Sequence, residues 1–540
     1  FLFTLINRIE SLSTSELNRK LLYALLLHTL DEGNALWSWP TARSRPRQIT
    51  TPPQFREKNL WNALEEAIAL WTSQPSKIDL THWPELPPST GGICLYKGRL
   101  KSFQAESKKR MEFDAAITVF PRPNQAFWTL SAVWSGWLWG KEMVLPLKSA
   151  LVRRRYDWNW HTAALHHTLS TLEELLHPNR PLFGILPELE TGFLSAVVVS
   201  SESAGFHLRG IALRSEQAIA QGEWLPVSQE SVSTSRSLDA ICHNSIQLYL
   251  NLRNEPASQT QIYANCLSAI AADGIIPKQS GQLPYHTLKE FHKGIPPLFS
   301  DTSIIRSFKD GSSNLSLDAW WLCEPNPHSN LTLTDRIEIE LIRLLQKNPG
   351  ISIHDLDKEL CTLFPGLLTP SIEFIRTCLK SYAKTDLEKP DQWYIQTREK
   401  ISAREANIST AKQNLKKICD ELGYKIEGEN HYSWVTSSGE IIYKFYIIAS
   451  SVISHFVLFP SRIPPEKSII VLPGSRARLL SLKLQKDPRL AEATANGWRF
   501  LKFRHLQRMA ERIDMNFDLW EYLLDKDPPS FEEPTQMQIL

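Results

Sequence analysis

Residues 113–140, FDAAITVFPRPNQAFWTLSAVWSGWLWG, constrain the fold of this chain more than any other stretch. The apolar run Ala115-Ala116-Ile117-Thr118-Val119-Phe120 is bounded by Asp114 on one side and by Pro121-Arg122-Pro123-Asn124 on the other. That pattern predicts a buried strand ending in a stiff turn. A helical run follows at once, with Trp128, Leu130, Val133, Trp134, Trp137 and Leu138. A strand that turns through prolines into an aromatic helix is an α/β element.

The length, 540 residues, allows three or four domains of roughly 100–200 residues each. A hydrophobic content of 42% and a charged content of 22% are those of a globular, soluble chain. With a net charge of +2, any affinity for nucleic acid has to come from local patches. No apolar stretch reaches the roughly 20 residues of a membrane helix. The richest one, 441–459, is interrupted by Lys444, Ser450, Ser451, Ser454 and His455 and reads as two strands. Seven dispersed cysteines with no CxxC pair predict reduced thiols in a cytoplasm and no zinc knuckle. His166-His167 lacks a clustered cysteine or carboxylate, so it reads as helix surface and no metal is expected. The chain begins at Phe1 inside a helical pattern and reads as a piece of a longer protein.

Five regions follow from the patterns. Residues 1–88 are a helical N-terminal region with a Pro/Arg-rich loop at 38–58. Residues 89–215 are an α/β domain, and 216–330 a helical connector closed by Trp320-Trp321. Residues 331–398 predict a winged helix. Thr334 caps its first helix, Ser352 its second, Thr369-Pro370 opens the third, and Trp393-Tyr394-Ile395 is a strand. Residues 399–540 predict a C-terminal α/β domain.

Strand, proline turn and aromatic helix together resemble the catalytic strand-turn of prokaryotic DNA amino-methyltransferases. In that family a polar side chain and a proline carbonyl hold the amine of a flipped base, and an aromatic stacks on it. Here Val119 stands at the polar position, Phe120-Pro121 at the proline pair and Arg122 at the aromatic. The helix, strand, helix and "AGF" strand that follow extend the resemblance over about residues 90–215. It implies the second half of a class-I methyltransferase fold, a partial or degenerate Rossmann-like sheet. Gly98 is followed by Arg99 where the family has Gly-Asp, and reads as a hairpin turn. No Gly-rich loop and acidic strand end are present to hold S-adenosylmethionine. That cofactor is therefore expected only if an upstream half exists, in which case Asn124, or less well Asp114, would supply the polar group. Val119 cannot accept a hydrogen bond from a base amine, so no catalytic residue is assigned.

Three groups of cations predict contact with DNA. Arg153, Arg154 and Arg155 precede Tyr156, Trp158 and Trp160, mixing phosphate neutralisation with stacking; the alternative has the tryptophans in the core. Arg376, Lys380 and Lys384 recur every four residues on the third helix of the winged helix. That module holds seven basic and seven acidic residues over 334–384, so protein contact is the competing reading. Residues 474–512 hold ten basic residues, including Arg476, Arg478, Lys483, Arg504 and Arg508, against three acidic ones, the strongest basic patch. The C-terminal region faintly resembles restriction-endonuclease-like domains without their metal-binding acids. The resulting expectation is a DNA-binding, methyltransferase-like protein of a prokaryotic modification or defence system, with partner subunits and no amino-methyltransferase activity of its own. The alternatives are an active methyltransferase fragment and a protein scaffold.

Overall fold

The computed structural model describes residues 1–34, 57–72, 78–107, 113–121, 125–148, 158–177, 179–214, 218–226, 236–276, 278, 285–301, 303–308, 319–325, 331–386, 389–428, 432–459 and 462–528. It is a mixed α/β chain with several separate sheets. Among the described residues no helix is long and apolar enough to cross a membrane, and all seven cysteines are free thiols.

The chain opens with helices α1 (Leu2–Ser11), α2 (Glu16–Gly33) and α3 (Leu60–Thr72). Strands β1 (Leu80–His82) and β2 (Ile93–Leu95) form a small parallel pair before α4 (Leu100–Ser107). The predicted strand and aromatic helix are β3 (Ala116–Val119) and α5 (Gln125–Trp139). A small core of Ile9, Tyr23, Leu26, Leu30 and Leu138 seats α1 and α2 against α5.

A four-stranded sheet in the order β3, β4, β6, β5 follows. Helix α6 (Trp158–Glu173) connects to β4 (Leu182–Leu186), parallel to β3. Helix α7 (Thr191–Ser203) leads to β5 (Phe206–Arg214), which pairs antiparallel with β6 (Ile219–Pro226). Strand β6 inserts antiparallel beside β4. Residues 192–203 of α7 are buried throughout, which fits the apolar and small side chains of its first two-thirds, GFLSAVVV.

The predicted boundary at residue 215 is corrected by this topology, because it cuts through the β5–β6 hairpin. The connector supplies a sheet strand, and its helices α8 (Leu238–Arg253) and α9 (Gln259–Ala272) share one core with Phe120, Leu182 and Trp224. Ser258 and Gln261 start α9 with a reciprocal capping box. Helix α10 (Tyr285–Gly294) and the antiparallel pair β7 (Ile305–Ser307) and β8 (Trp320–Leu322) complete the same body.

Next come α11 (Leu333–Lys347), β9 (Ile351–Ser352), α12 (Ile353–Leu363), α13 (Ile372–Tyr382), β10 (Ala383–Thr385) and β11 (Gln392–Ile395). The caps are Thr332, Ser352 and Ser371, each accepting from a backbone N–H three residues on. At the first and third of these sites the cap thus falls two residues away from the expected Thr334 and Thr369. The three short strands pair in the order β10, β11, β9.

The last region holds a five-stranded sheet in sequence order, β12 (Lys425–Glu427), β13 (Tyr432–Val435), β14 (Ile441–Ile447), β15 (Ser468–Leu472) and β16 (Arg499–Lys502). The first three strands are an antiparallel meander and the last three run parallel. Residues 455–459, expected as a strand, belong instead to a short helix, α15 (Ser454–Val457), and the bend after it. Ile469 and Val471 face a core with α14 (Ile401–Glu421), α18 (Phe503–Ala510) and α19 (Phe517–Leu524). Ile470 and Leu472 face the opposite core with α15, α16 (Ala477–Lys486) and α17 (Pro488–Ala495). Helices on both faces are what a parallel sheet of continuous apolar strands requires.

Candidate functional site

The turn after β3 sits at the end of an edge strand. Ile117 and Val119 are 79% and 58% exposed, and Phe183, paired with Ile117 on β4, is 41% exposed. Phe120 points the other way and is 2% exposed. Its ring meets Trp224 edge to face at 5.5 Å. Both rings lie over Gly184, and that of Trp224 also over Gly222, which is directly paired with Gly184 across β4 and β6. The alternation along β3 thus makes Phe120 a core residue and sends Val119 to the uncovered face. Pro121 is exposed, while Arg122 and Asn124 lie outside the described residues.

Arg153, Arg154 and Arg155 also lie outside the described residues. Trp158 packs beside His161 and Phe193. A Cβ at Gly192 would come within 2.5 Å of its indole. Trp158 is therefore a core plug, whereas Trp160 is exposed. His166 and His167 diverge. His166 is buried with its Nδ1 3.4 Å from Ser203 Oγ, which corrects its reading as helix surface, and His167 is exposed. Among the described residues no group of three or more His, Cys, Asp or Glu is placed to hold a metal ion.

The C-terminal cations are the main correction. Arg476 and Lys483 are fully buried. Lys483 Nζ lies 2.5 Å from both Asp335 and Glu338 of α11 and donates to the Ser451 carbonyl at 2.9 Å. Glu338 also accepts from the Ser451 amide at 2.8 Å and from the Tyr382 hydroxyl. Burial opposes the charged form of Lys483, but the two carboxylates overcome it and hold the ammonium charged well above its ordinary range. Burial likewise pushes Glu338 up, and Lys483 with the hydroxyl donors pulls it below its ordinary value. Arg476 pairs with Glu399 and donates to the carbonyls of Ser381 at 2.6 Å and Ala449 at 3.1 Å. Arg404 reaches the same Glu399 at 3.4 Å.

Other members of the ten-cation stretch have acidic partners. Lys502 bonds Asp527 at 2.6 Å and Arg504 lies 3.5 Å from the same carboxylate. Arg499 pairs with Glu521, Arg489 with Asp487 and Lys486 with Glu373. Counting charge along the sequence missed these partners because most come from other elements. Arg478 and Arg508 are exposed. In a further pair Arg214 Nη2 donates to both carboxylate oxygens of Asp357 at 2.8 Å and ties β5 to α12. It carried no sequence signal, since its partners are 143 residues apart.

On α13, Phe374, Ile375, Thr377, Cys378, Leu379, Ser381 and Tyr382 are buried. One flank packs on α16, where Leu479 enters the core of residues 333–395. Glu373, Arg376 and Lys380 form the exposed strip, continued by exposed Lys384 on β10. The structure therefore brings Arg376, Lys380 and Lys384 to the surface together and withdraws Arg476 and Lys483 from it. No protein-family model matches this chain. No curated protein matches it either.

Proposed function

We propose that this chain is a DNA-associated, methyltransferase-like component of a prokaryotic modification or defence system, with no amino-methyltransferase activity of its own. The observation that carries the reading is the sheet order β3, β4, β6, β5, a parallel pair extended by an antiparallel hairpin whose last strand sits inside. This is the arrangement the second half of a class-I methyltransferase sheet would have. The turn at the end of its first strand carries Val119 and Phe120 in place of a polar group. Losing a hydrogen-bond partner in such a site costs about 1–3 kcal/mol, roughly a hundredfold in rate at the upper end.

Residues 333–395 follow the helix, strand, helix, helix, hairpin order of a winged helix. Its exposed Arg376, Lys380 and Lys384 are the surface we assign to phosphate contact. The meander followed by parallel strands in residues 401–524 supports a non-catalytic, restriction-endonuclease-like domain. In the turn before its central strand Glu440 is paired with Lys467 at 3.1 Å, not with another carboxylate.

A second reading keeps the chemistry and places the S-adenosylmethionine half outside residues 1–540. The uncovered face bearing Ile117, Val119 and Phe183 favours it, since parallel strands are ordinarily covered on both faces. Isothermal titration with S-adenosylmethionine and a labelled methyl-transfer assay on DNA test the proposal. DNA binding without cofactor binding or transfer is the expected result. Methyl transfer by the chain alone would overturn it.

A further inference from the structure

Helix α2 forms a pocket of about 420 Å³ against the end of α5, a volume within the range of small-molecule sites. Tyr23, Ala24 and Leu27 of α2 and Trp139 of α5 line its apolar part. The rings of Tyr23 and Trp139 meet at 5.7 Å and 68°. They make an aromatic corner in which a flat ring can stack on one wall and turn its edge to the other. Both walls are anchored, because Tyr23 and the neighbouring Leu138 belong to the core that joins α2 to α5. Trp139 itself remains 43% exposed.

The rim is charged. Glu16, Arg19 and Lys20 lie one turn before the aromatic wall on the same side of α2. Arg19 donates through one terminal nitrogen to the Leu12 carbonyl at 3.2 Å, and its Nε is buried with no hydrogen-bond partner. Lys20 pairs with Glu16 at 2.7 Å, but both side chains are largely exposed. Such an exposed pair contributes little to stability, so opening it to admit another anion costs little.

We propose that this pocket binds a nucleotide unit, an aromatic base in the Tyr23–Trp139 corner with its phosphate on Arg19 and Lys20. A purely apolar ligand would leave the cations unused, and an inorganic anion would leave the aromatic walls unused. Base stacking on an aromatic platform beside cations is also how single-stranded nucleic acid is held. The same chemistry is offered by a free nucleotide and by an exposed base of single-stranded DNA. Nothing in this pocket depends on the methyltransferase-like sheet.

The test is titration calorimetry of the full chain with deoxyadenosine 5′-monophosphate, deoxyadenosine and single-stranded (dA)10. The monophosphate and the oligonucleotide are expected to bind more tightly than the nucleoside. Tighter binding of the oligonucleotide than of the monophosphate identifies the single strand as the source, and the reverse identifies the free nucleotide. Arg19→Gln with Lys20→Gln is expected to weaken both phosphate-bearing probes at least tenfold and leave deoxyadenosine unchanged. Trp139→Ala is expected to weaken all three, and Trp139→Phe, which restores a stacking face without disturbing Leu138, to recover binding. No binding of any probe at millimolar concentration, or binding unaltered in these variants, would overturn the proposal.

Discussion

The guanidinium of Arg476 lies over the ring of Tyr382, its carbon 3.5 Å from the ring centroid, while the hydroxyl of the same tyrosine donates to Glu338. One side chain of α13 therefore joins two buried ionic groups of opposite formal charge. Lys483 meets two carboxylates, Asp335 and Glu338, and Glu399 meets the guanidinium groups of Arg476 and Arg404 inside the junction and that of exposed Arg398 at 3.8 Å. Leaving exposed Arg398 aside, three basic and three acidic side chains balance around Tyr382. A desolvated cation over an aromatic face contributes about 2 kcal/mol. The network spans α11, α13, the start of α14 and α16, so it fixes residues 333–395 against the C-terminal sheet.

Removing Lys483 strands two buried carboxylates. Lys483→Met is expected to destabilise the protein by about 3–5 kcal/mol, the usual result of breaking a buried pair by deleting one partner. Adding Asp335→Asn and Glu338→Gln is expected to recover part of that loss, since the stranded charges are then gone. Urea unfolding midpoints compare the variants. A single substitution that leaves the midpoint unchanged would show that Lys483 contributes nothing to this junction.

The acid side of the stability profile has two windows. Burial lowers His161 from 6.5 to about 4. The unfolded chain then takes up the proton first, so stability falls as pH drops from 6.5 towards 4, by about 3 kcal/mol for this group. His166, His292 and His455 are displaced in the same direction by burial. Glu338, held below its ordinary 4.5, contributes stability that is present above that value and lost as pH falls through its lower folded one. His161→Phe should shrink the first loss and leave the second in place. An unfolding series from pH 7 to 3 reads both, and an unaltered upper window in the variant would reject the assignment.

How far the sequence foretold this structure depends on the range of the interactions. Local signals served well. The strand leading to Phe120, the cap at Ser352 and the continuous apolar strand at 469–472 all lie where their patterns predicted, although the first was expected to be buried and exposes Ile117 and Val119 on an edge. Strand β6 was missed because Gln221, Gly222 and Glu223 interrupt its apolar pattern. Those residues are tolerated because Gln221 and Glu223 face solvent and Gly222 leaves room for the Trp224 ring. The cationic stretch misled for a different reason. Lys483 and Asp335 are 148 residues apart, and no local count registers such a partner. Exposure, which decides whether an arginine meets phosphate or carboxylate, is a property of the folded chain.

The two facing glycines of the four-stranded sheet make a sharp packing test. A Cβ at Gly184 would lie 2.3 Å from the Phe120 ring and 2.9 Å from that of Trp224. Both rings sit buried in the core. Gly184→Val is expected to cost about 1–3 kcal/mol by overpacking. Combining it with Phe120→Leu should return some stability, because the smaller side chain yields the volume. If Gly184→Val alone matches the parent in thermal unfolding, Phe120 is not held as tightly as its burial requires.

DNA affinity provides the last test. Arg376 and Lys380 lie along the exposed strip of α13, and Lys384 extends it onto β10. Replacing all three by Ala is expected to weaken binding and to lower the slope of log affinity against log salt by about 0.9 for each phosphate no longer neutralised. Arg478→Ala with Arg508→Ala, exposed positions on α16 and α18, probes the C-terminal surface without touching the buried network. Arg476 and Lys483 are unsuitable for this comparison, because their loss acts through folding. Filter binding across a salt series distinguishes the two surfaces. A reduced slope confined to the triple variant places the phosphates on α13 and β10, and one confined to the double variant places them on the C-terminal domain. If neither slope changes, residues 331–528 do not meet DNA through either cationic surface, and the helices and short sheet of residues 333–395 serve to pack domains together.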